Sequence, residues 1–408
     1  MTQPTGSTLQ EQKASLLPPK DWLLLPLLGL LTVCLVASLA ELLARRAFSD
    51  SVGHRPACIV RDDNPQGARA TPNSVCWEKL PEGRLTRYQF NGCGDRAGME
   101  CGFKPPGVYR IVVTGTSVAE GRYVPREQTV AVLLPTELSR LAGRPVDLYN
   151  ASTMQGFLDS TPLRFDDLLA NKPGLILWLV TPLDVWNSSF VSYDAHPPAL
   201  PASAGKALSL QRVWYLLRKA YAGGSVQEVV RDHFNRTRTA FALRHLLFES
   251  QSQYVKSYLM GPDSESGYLK SDLSPGWRER LQHFDRDVAL LRQRAAASGV
   301  QVAVALIPYR AQAAMVSMGS WPAGYNPYRF DNEMRAIVTR NGAIYLDILP
   351  GFSAIPNPER DYFPVDGHPN ARGESILARL LADRLFAQRV PDPKQPGRQP
   401  IQLKQERK

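Results

Sequence analysis

The stretch VVTGTSVAEG, Val112–Gly121, joins an apolar run to a turn of small residues. The run begins at Tyr109 and is apolar on both faces, as expected of a strand buried in a parallel sheet. Gly115 ends it, and Thr116 and Ser117 follow. The pattern fits either an ordinary strand end or a turn that holds the Ser117 hydroxyl at the edge of a sheet. A base elsewhere in the chain would decide between them, because serine is a poor nucleophile without one.

Segments of strand and helix character alternate after this stretch. Helix-like segments end at Gly143 and Gly299, where glycine is typical of a helix C-terminus. The alternation predicts βαβ units and a five-stranded parallel sheet with helices on both faces. Four further strand-like segments follow the first: PVDLYNAS, LILWLVTP, VQVAVALIP and AIYLDILPGF.

The carboxyl ends of parallel strands share one edge of the sheet, where α/β proteins bind their ligands. This places Ser117 near FPVDGHPNARGE, which follows the fifth strand and contains Asp366 and His368. A histidine activates a serine best when a carboxylate holds its tautomer, and this turn supplies both groups. The remaining histidines are interpreted as surface or core residues: His54, His196, His233, His245 and His283.

These blocks resemble those of the SGNH/GDSL hydrolase superfamily of serine esterases and acyltransferases. The family's first block, Gly-Asp-Ser, corresponds to Gly115-Thr116-Ser117, and its last block corresponds to FPVDGHPNARGE. The approach YQFNGCGDR, with its Asn-x-x-Gly-x-Arg spacing, is similar to that of a large bacterial subgroup. The resemblance covers roughly residues 88–390. It implies a flavodoxin-like three-layer α/β/α fold.

The resemblance also implies roles for individual residues. Ser117 would be the nucleophile, His368 the general base and Asp366 the residue that orients the base. An acyl-enzyme would form on Ser117, and water or a sugar hydroxyl would then take the acyl group. No cofactor is expected. The Ser117 N–H would be one oxyanion donor, and Gly156 of the second block would be another, with Ser152 as its alternative.

Departures from the family pattern concern the surroundings of the nucleophile. Thr116 replaces the aspartate of the first block. In the third block, usually Gly-x-Asn-Asp, the sequence TPLD places Leu183 at the asparagine and retains Asp184. Leucine cannot donate a hydrogen bond, so Asn187, one turn further on, is the candidate substitute donor. Loss of one oxyanion donor costs about 10²–10³ in rate without abolishing catalysis.

An uncharged segment of 19 residues spans Trp22–Ala40. It is about as long as a helix that crosses a hydrocarbon layer of ~30 Å. A cleaved signal peptide is the alternative, although the core of such a peptide runs to only about 7–15 residues. We expect an uncleaved anchor, residues 21–45, that contacts the lipid bilayer through residues 22–40 and follows a cytoplasmic tail, residues 1–20.

The cysteines indicate the compartment of the larger part of the chain. Basic residues flank the span on both sides and give no orientation. The cysteines after the span suit two disulfides with three possible pairings, and therefore an oxidising, extracytoplasmic (periplasmic) location. A zinc site is the alternative, but no C-x-x-C pair is present, and no metal is expected. The disulfide candidates are Cys58, Cys76, Cys93 and Cys101.

The rest of the organisation follows from composition. Residues 46–105 form a Cys-containing lead-in, residues 106–390 a hydrolase-like domain with a helical insertion at 187–276, and residues 391–408 a disordered basic tail. The net charge of +10 comes with no nucleic-acid-binding motif, so nucleic acid is not an expected partner. Aromatic residues of the insertion are interpreted as packing residues, with sugar contacts as the alternative: Trp214, Tyr215, Phe248, Tyr254 and Tyr258.

These features predict a membrane-anchored, extracytoplasmic serine esterase or O-acyltransferase that acts on acylated carbohydrate. The alternative is a catalytically impaired scaffold or binding protein of an envelope or exopolysaccharide assembly system. The departures at Thr116 and Leu183 motivate this alternative, because such a protein would keep the fold without needing a complete oxyanion hole.

Overall fold

The structure is a computed structural model that describes residues 21–49, 58–60, 69–153, 158–188, 234 and 237–391. Gly156, the tail at 1–20 and residues 392–408 lie outside the described residues, as does most of the predicted insertion. The predicted roles of those segments therefore stay predictions.

One long helix, α1 (Asp21–Ala47), precedes the folded domain. Its segment Leu24–Ala47 has a mean hydropathy of 2.3 and is almost entirely exposed. At 1.5 Å per residue this length is sufficient to cross a bilayer. The helix is therefore compatible with a single-pass membrane anchor or with a signal sequence.

The Cys-containing lead-in has regular structure that the sequence analysis did not predict. Strands β1 (Ile59–Val60) and β2 (Arg69–Ala70) pair antiparallel, as do β3 (Val75–Lys79) and β4 (Leu85–Gln89). The two expected disulfides are present, and they select one of the three possible pairings: Cys58–Cys76 and Cys93–Cys101.

The central sheet has five parallel strands in the spatial order β6-β5-β7-β8-β9. This is the flavodoxin-like order, in which the first strand of the domain lies between the second and the third. The predicted five-stranded parallel sheet is confirmed. The strands are β5 (Tyr109–Gly115), β6 (Val146–Asn150), β7 (Leu175–Val180), β8 (Gln301–Leu306) and β9 (Ile344–Tyr345).

Helices cover both faces of this sheet. The helices after α1 are α2 (Ser117–Glu120), α3 (Val130–Ala142), α4 (Ser160–Leu163), α5 (Phe165–Ala170), α6 (Pro182–Trp186), α7 (Arg238–Phe248), α8 (Gln251–Leu259), α9 (Asp263–Ser266), α10 (Pro275–Ala297), α11 (Arg310–Met318), α12 (Arg329–Arg340) and α13 (Ala371–Ala387).

Each face of the sheet has its own apolar core, because successive side chains of a strand point to opposite faces. Val112 and Trp178 belong to the core formed with α10 and α12. Ile111 and Leu177 belong to the core formed with α3 and α13. Burial of side chains this large contributes about 1.5–3 kcal/mol each. The two cores hold the strands rigidly and so fix the loops at their carboxyl ends.

Candidate active site

The nucleophile turn depends on Gly115, the last residue of β5. Its φ is +152°, and a Cβ at this position would lie 2.4 Å from the Leu179 carbonyl oxygen of the neighbouring strand. Only glycine fits, because a side chain would collide with backbone. Thr116 is the N-cap of α2, and Ser117 is the first residue of this helix. Amides in the first turn have no partner within their own helix, which leaves the Ser117 N–H directed outward.

A continuous line of hydrogen bonds links three of the predicted site residues. The Ser117 Oγ lies 2.8 Å from His368 Nε2. On the other side of the ring, His368 Nδ1 lies 2.6 Å from Asp366 Oδ1. The same carboxylate oxygen accepts the His368 backbone N–H at 3.1 Å. Gly367 permits this tight arrangement with a φ of +86°.

The electrostatics of this line suit proton transfer from serine to imidazole. Burial of Asp366 raises its pKa, but the hydrogen bonds and the charge of His368 outweigh burial and lower the pKa below its usual value. Asp366 is therefore ionised at neutral pH and is placed to accept a hydrogen bond from His368 Nδ1. The tautomer with the proton on Nδ1 leaves Nε2 free to accept the Ser117 proton.

The first and third sequence blocks meet through Thr116 and Asp184. The Thr116 hydroxyl donates to Asp184 Oδ1 at 2.6 Å. The other carboxylate oxygen accepts the backbone N–H and the hydroxyl of Thr181, at 2.7 and 2.8 Å. Burial raises the pKa of Asp184, and these hydrogen bonds oppose that rise. Thr116 therefore has a defined partner where the family has an aspartate.

The first, third and last blocks thus lie at the carboxyl edge of a sheet with flavodoxin-like strand order. This is the three-layer α/β/α fold that the resemblance implied.

Three solved structures illustrate what the chain is similar to. The crystal structure of TesA matches with 13% identity over 69% of this chain and 98% of that chain, at a TM-score of 0.34. A putative GDSL-like lipase from Parabacteroides merdae matches with 12% identity over the same shares, at a TM-score of 0.35. The psychrotrophic esterase EstA from Pseudoalteromonas sp. matches with 12% identity over 68% of this chain and 94% of that chain, at a TM-score of 0.30. No protein-family model and no curated protein matches the chain.

The structure places the expected oxyanion residues in different surroundings. Asn187 lies exposed at the C-terminal end of α6 and is not among the residues that line the pocket, and its role as a substitute donor stays a prediction. Ser152, the alternative to Gly156, donates its N–H to the Asn150 side chain at 3.0 Å. Leu183, 41% exposed, lines the pocket. Within the described part of the chain, the nucleophile turn offers the N–H of Ser117.

The Asn-x-x-Gly-x-Arg segment braces the turn that follows the nucleophile helix. Arg96 is buried, and its guanidinium donates to the carbonyl oxygens of Gly121 and Val124, both at 2.7 Å. Asn91 folds the loop by accepting the N–H of Cys93 and of Asp95, both at 3.0 Å. The resemblance implied no role for the residues of this motif. Their contacts show that they hold the loop and the following turn in place.

The hairpin β3–β4 also reaches His368, through Tyr123. The Tyr123 ring packs edge-on against the His368 imidazole, with ring centroids 5.4 Å apart. Its backbone has a φ of +66° and is held by two hairpin residues. The Tyr88 hydroxyl accepts its N–H at 2.7 Å, and the Thr86 hydroxyl donates to its carbonyl oxygen at 3.0 Å. Sequence reasoning missed this contact because its partners are distant along the chain.

The pocket in front of Ser117 has a volume of about 470 Å³. Phe248, Tyr254 and Tyr258 line it together with Leu183. Tyr254 and Tyr258 also pack on the core, as predicted, and contact with a sugar stays the alternative. Mostly apolar walls with a few polar groups are typical of small-molecule sites. A larger groove of about 790 Å³ lies along β4 and residues 125–127, and its lining does not include Ser117.

The residues that the structure describes contain no group of three or more His, Cys, Asp and Glu side chains arranged to hold a metal ion.

Proposed function

We propose that the chain is a serine esterase or O-acyltransferase that forms an acyl-enzyme on Ser117. The observation that carries this proposal is the hydrogen-bonded line from Ser117 Oγ to His368 Nε2, at 2.8 Å, and from His368 Nδ1 to Asp366, at 2.6 Å. Nucleophile, base and orienting carboxylate within hydrogen-bond reach are the recognised signature of an activated serine.

The geometry supports a two-step reaction. His368 Nε2 takes the Ser117 proton while Oγ attacks the ester carbonyl carbon, and Asp366 stabilises the resulting imidazolium. The negative oxygen of the tetrahedral intermediate accepts the Ser117 N–H. When the intermediate collapses, the ester C–O bond breaks, and the leaving alcohol takes the proton from His368. Water or a second hydroxyl then attacks the acyl-enzyme with the same base.

We infer that the substrate is an acylated carbohydrate. The aromatic walls formed by Phe248, Tyr254 and Tyr258 support this inference, because flat aromatic rings pack well against the apolar faces of sugar rings. Serines 257 and 264 also line the pocket and would supply hydroxyls for the sugar oxygens. A pocket of about 470 Å³ holds a short acyl group and part of a sugar.

We further propose that α1 anchors the domain in a membrane, with the lipid bilayer contacting residues 22–40 and the domain on the extracytoplasmic side. The apolar length of α1 supports the anchor. The Cys58–Cys76 and Cys93–Cys101 disulfides support the oxidising side.

A non-catalytic scaffold or binding protein is the second candidate. It is favoured by Leu183, which lines the pocket where the family has a hydrogen-bond donor. A scaffold requires the fold and the pocket but not an activated serine, so the two candidates differ in the chemistry of Ser117.

Labelling with a fluorophosphonate separates the two candidates. The full chain in detergent is treated with the reagent, and hydrolysis of p-nitrophenyl acetate is followed in parallel. We expect labelling and turnover in the wild type and in Ser298→Ala, a control serine that is exposed and lies outside the pocket lining. We expect neither in Ser117→Ala. A wild-type chain that is folded but neither labelled nor active between pH 6 and 9 would favour the scaffold.

A further inference from the structure

A buried carboxylate outside the triad holds the loop that carries Asp366. Glu82 lies in the turn between β3 and β4, and its side chain is 0% exposed. Its oxygens accept the Val365 N–H at 3.1 and 3.2 Å and the Asp366 N–H at 2.9 Å. A carboxylate removed from water requires such donors. The two backbone amides in turn have Glu82 as their acceptor, directly beside the residue that orients His368.

The same loop is held from its other side by a buried cation. Arg310, at the start of α11, is 1% exposed and lines the pocket. Its guanidinium donates to the Pro364 carbonyl oxygen at 2.6 Å and also to the carbonyl oxygen of Phe248, the last residue of α7. The Glu82 side chain thus holds the amides of residues 365 and 366, and the Arg310 guanidinium holds the carbonyl of Pro364.

Glu82 also contacts α7 directly, and α7 packs on the end of α1. His245 Nδ1 lies 2.9 Å from Glu82 Oε2. The Phe48 ring contacts that of His245 with centroids 5.0 Å apart. The Glu41 carboxylate accepts the backbone N–H of Thr239 at 2.9 Å. Glu82 is therefore the point at which the hairpin, α7 and the loop before His368 meet.

We propose that Glu82 is a positioning residue that keeps Asp366 in line with His368 Nδ1. This inference rests on the proposed function, since it gives Glu82 a part in serine activation. Glu82 touches neither the nucleophile nor the base, and it acts through the backbone of Asp366. A displacement of the loop by about 1 Å is enough to cost on the order of 10² in rate, because the hydrogen-bonded line must be maintained through the reaction.

The test compares Glu82→Ala and Glu82→Gln in the full chain with the wild type. Turnover of p-nitrophenyl acetate gives kcat and KM, and hydrogen–deuterium exchange is measured on the peptide that contains residues 361–370. We expect kcat of Glu82→Ala to fall about 10- to 100-fold, with KM within twofold of wild type. We expect Glu82→Gln to retain more activity, because its amide oxygen still accepts one N–H. Exchange of the loop amides should be fastest in Glu82→Ala.

Glu374→Gln is the matched control. Glu374 is a buried carboxylate that also accepts a backbone N–H, that of Val130 at 2.7 Å, but it does not hold the Asp366 loop. We expect its kcat and its loop exchange to match the wild type. The proposal is overturned if folded Glu82→Ala has loop exchange within twofold of wild type, or kcat within twofold of that of an active wild type. If Glu82→Ala does not fold, Glu82→Gln decides by the same two measurements.

Failure of the proposed function would look different. A folded wild type without turnover would refute the esterase or acyltransferase, and with it the catalytic part of the Glu82 proposal. The exchange measurement would still decide whether Glu82 orders the loop, because it requires no activity. Unchanged exchange in both Glu82 variants overturns the positioning role whether or not the chain is an enzyme.

Discussion

The Thr116 hydroxyl donates a hydrogen bond to Asp184 Oδ1 at 2.6 Å and so joins the residue before the nucleophile to the first turn of α6. Asp184 is the retained aspartate of the third block, and burial raises its pKa. Its carboxylate is stabilised by three hydrogen bonds, one from Thr116 and two from Thr181. Thr116, which replaces an aspartate of the family pattern, is therefore an uncharged hydrogen-bond donor to the buried Asp184 side chain.

This contact predicts that Thr116→Val impairs the site while Thr116→Ser does not. Valine removes the hydroxyl and leaves Asp184 with one donor fewer, which should cost about 1–3 kcal/mol of stability. Serine keeps the donor. Restoring the family residue with Thr116→Asp should also lower turnover at pH 7, because it brings two carboxylates together in a buried place. Thermal unfolding and p-nitrophenyl acetate hydrolysis measure both effects. Equal behaviour of the valine and serine variants would contradict the assigned contact.

Leu183 predicts an improvement in rate. Leu183 lines the pocket at the position where the family has an asparagine donor. Leu183→Asn should raise kcat of p-nitrophenyl acetate hydrolysis at least about 10-fold, since one oxyanion donor is worth about 10²–10³. Leu183→Ala is the control, because it opens the same space without adding a donor. An asparagine variant no faster than the alanine variant would mean that the oxyanion does not form near residue 183.

Asp366 predicts a large loss of activity without a loss of fold. Asp366→Asn keeps the shape of the side chain but favours the wrong tautomer of His368, so kcat should fall by about 10²–10⁴. The pKa of Asp366 is lowered in the folded chain, so its ionised form stabilises the fold above the unfolded pKa. That contribution is lost as pH falls through the folded pKa. Circular dichroism checks that the Asp366→Asn variant is folded, and the rate of acyl transfer checks the fall in kcat. A wild-type rate would refute the role of Asp366.

The sequence predicted what depends on local pattern. The five strands are apolar runs bounded by turn residues, and Asp366 and His368 occur within one turn. The sheet and the Asp-His pair could therefore be predicted from the sequence alone. The position of Asn187 relative to the pocket could not be predicted from local pattern. Asn187 lies four residues after Leu183, hence one helical turn further along the axis, beyond the short helix α6 and not among the residues that line the pocket. Its role as a donor stays a prediction.

Contacts between distant residues could not be predicted in this way. Glu82 and Val365 are 283 residues apart, and no periodicity connects a hairpin turn to a loop at the opposite end of the domain. The hairpin itself was missed because apolar residues on its outer face obscure the alternation of apolar and polar residues. Trp77 and Leu85 are 46% and 55% exposed.

The Cys93–Cys101 disulfide predicts a specific loss of stability. It closes the loop that carries Asp95 and Arg96, and closing a loop this short removes about 2–3 kcal/mol of unfolded-state entropy. Cys93→Ser should lower the free energy of unfolding by about that amount, and reduction of the wild type, which also opens Cys58–Cys76, should lower it further. Cys34→Ser is the matched control, because Cys34 is exposed on α1 and is not disulfide-bonded. Mass spectrometry that finds free thiols at residues 93 and 101 would contradict the bond and weaken the extracytoplasmic proposal.

Glu374 predicts a pH dependence of stability that a single substitution removes. Burial raises its pKa from 4.5 to about 7, against the opposing effects of the Val130 N–H and the Arg96 charge. A raised folded pKa means that the folded chain binds the proton more tightly than the unfolded chain does. The stabilisation is therefore complete below the unfolded pKa and is lost as pH rises through about 7. A pKa shift of this size corresponds to a change of about 3 kcal/mol in the free energy of unfolding between pH values below the unfolded pKa and pH values above the folded pKa.

Chemical denaturation at pH 5 and at pH 8 measures this loss. Glu374→Gln cannot ionise, so the difference in the free energy of unfolding between the two pH values should shrink by up to about 3 kcal/mol relative to wild type. Glu137→Gln is the control, because Glu137 pairs with Arg140 on the surface and its pKa is lowered, which keeps it ionised at both pH values. The same pH 5 to pH 8 difference in wild type and Glu374→Gln would show that Glu374 is ionised in the folded chain throughout. In that case the Val130 N–H and the Arg96 charge compensate its burial fully.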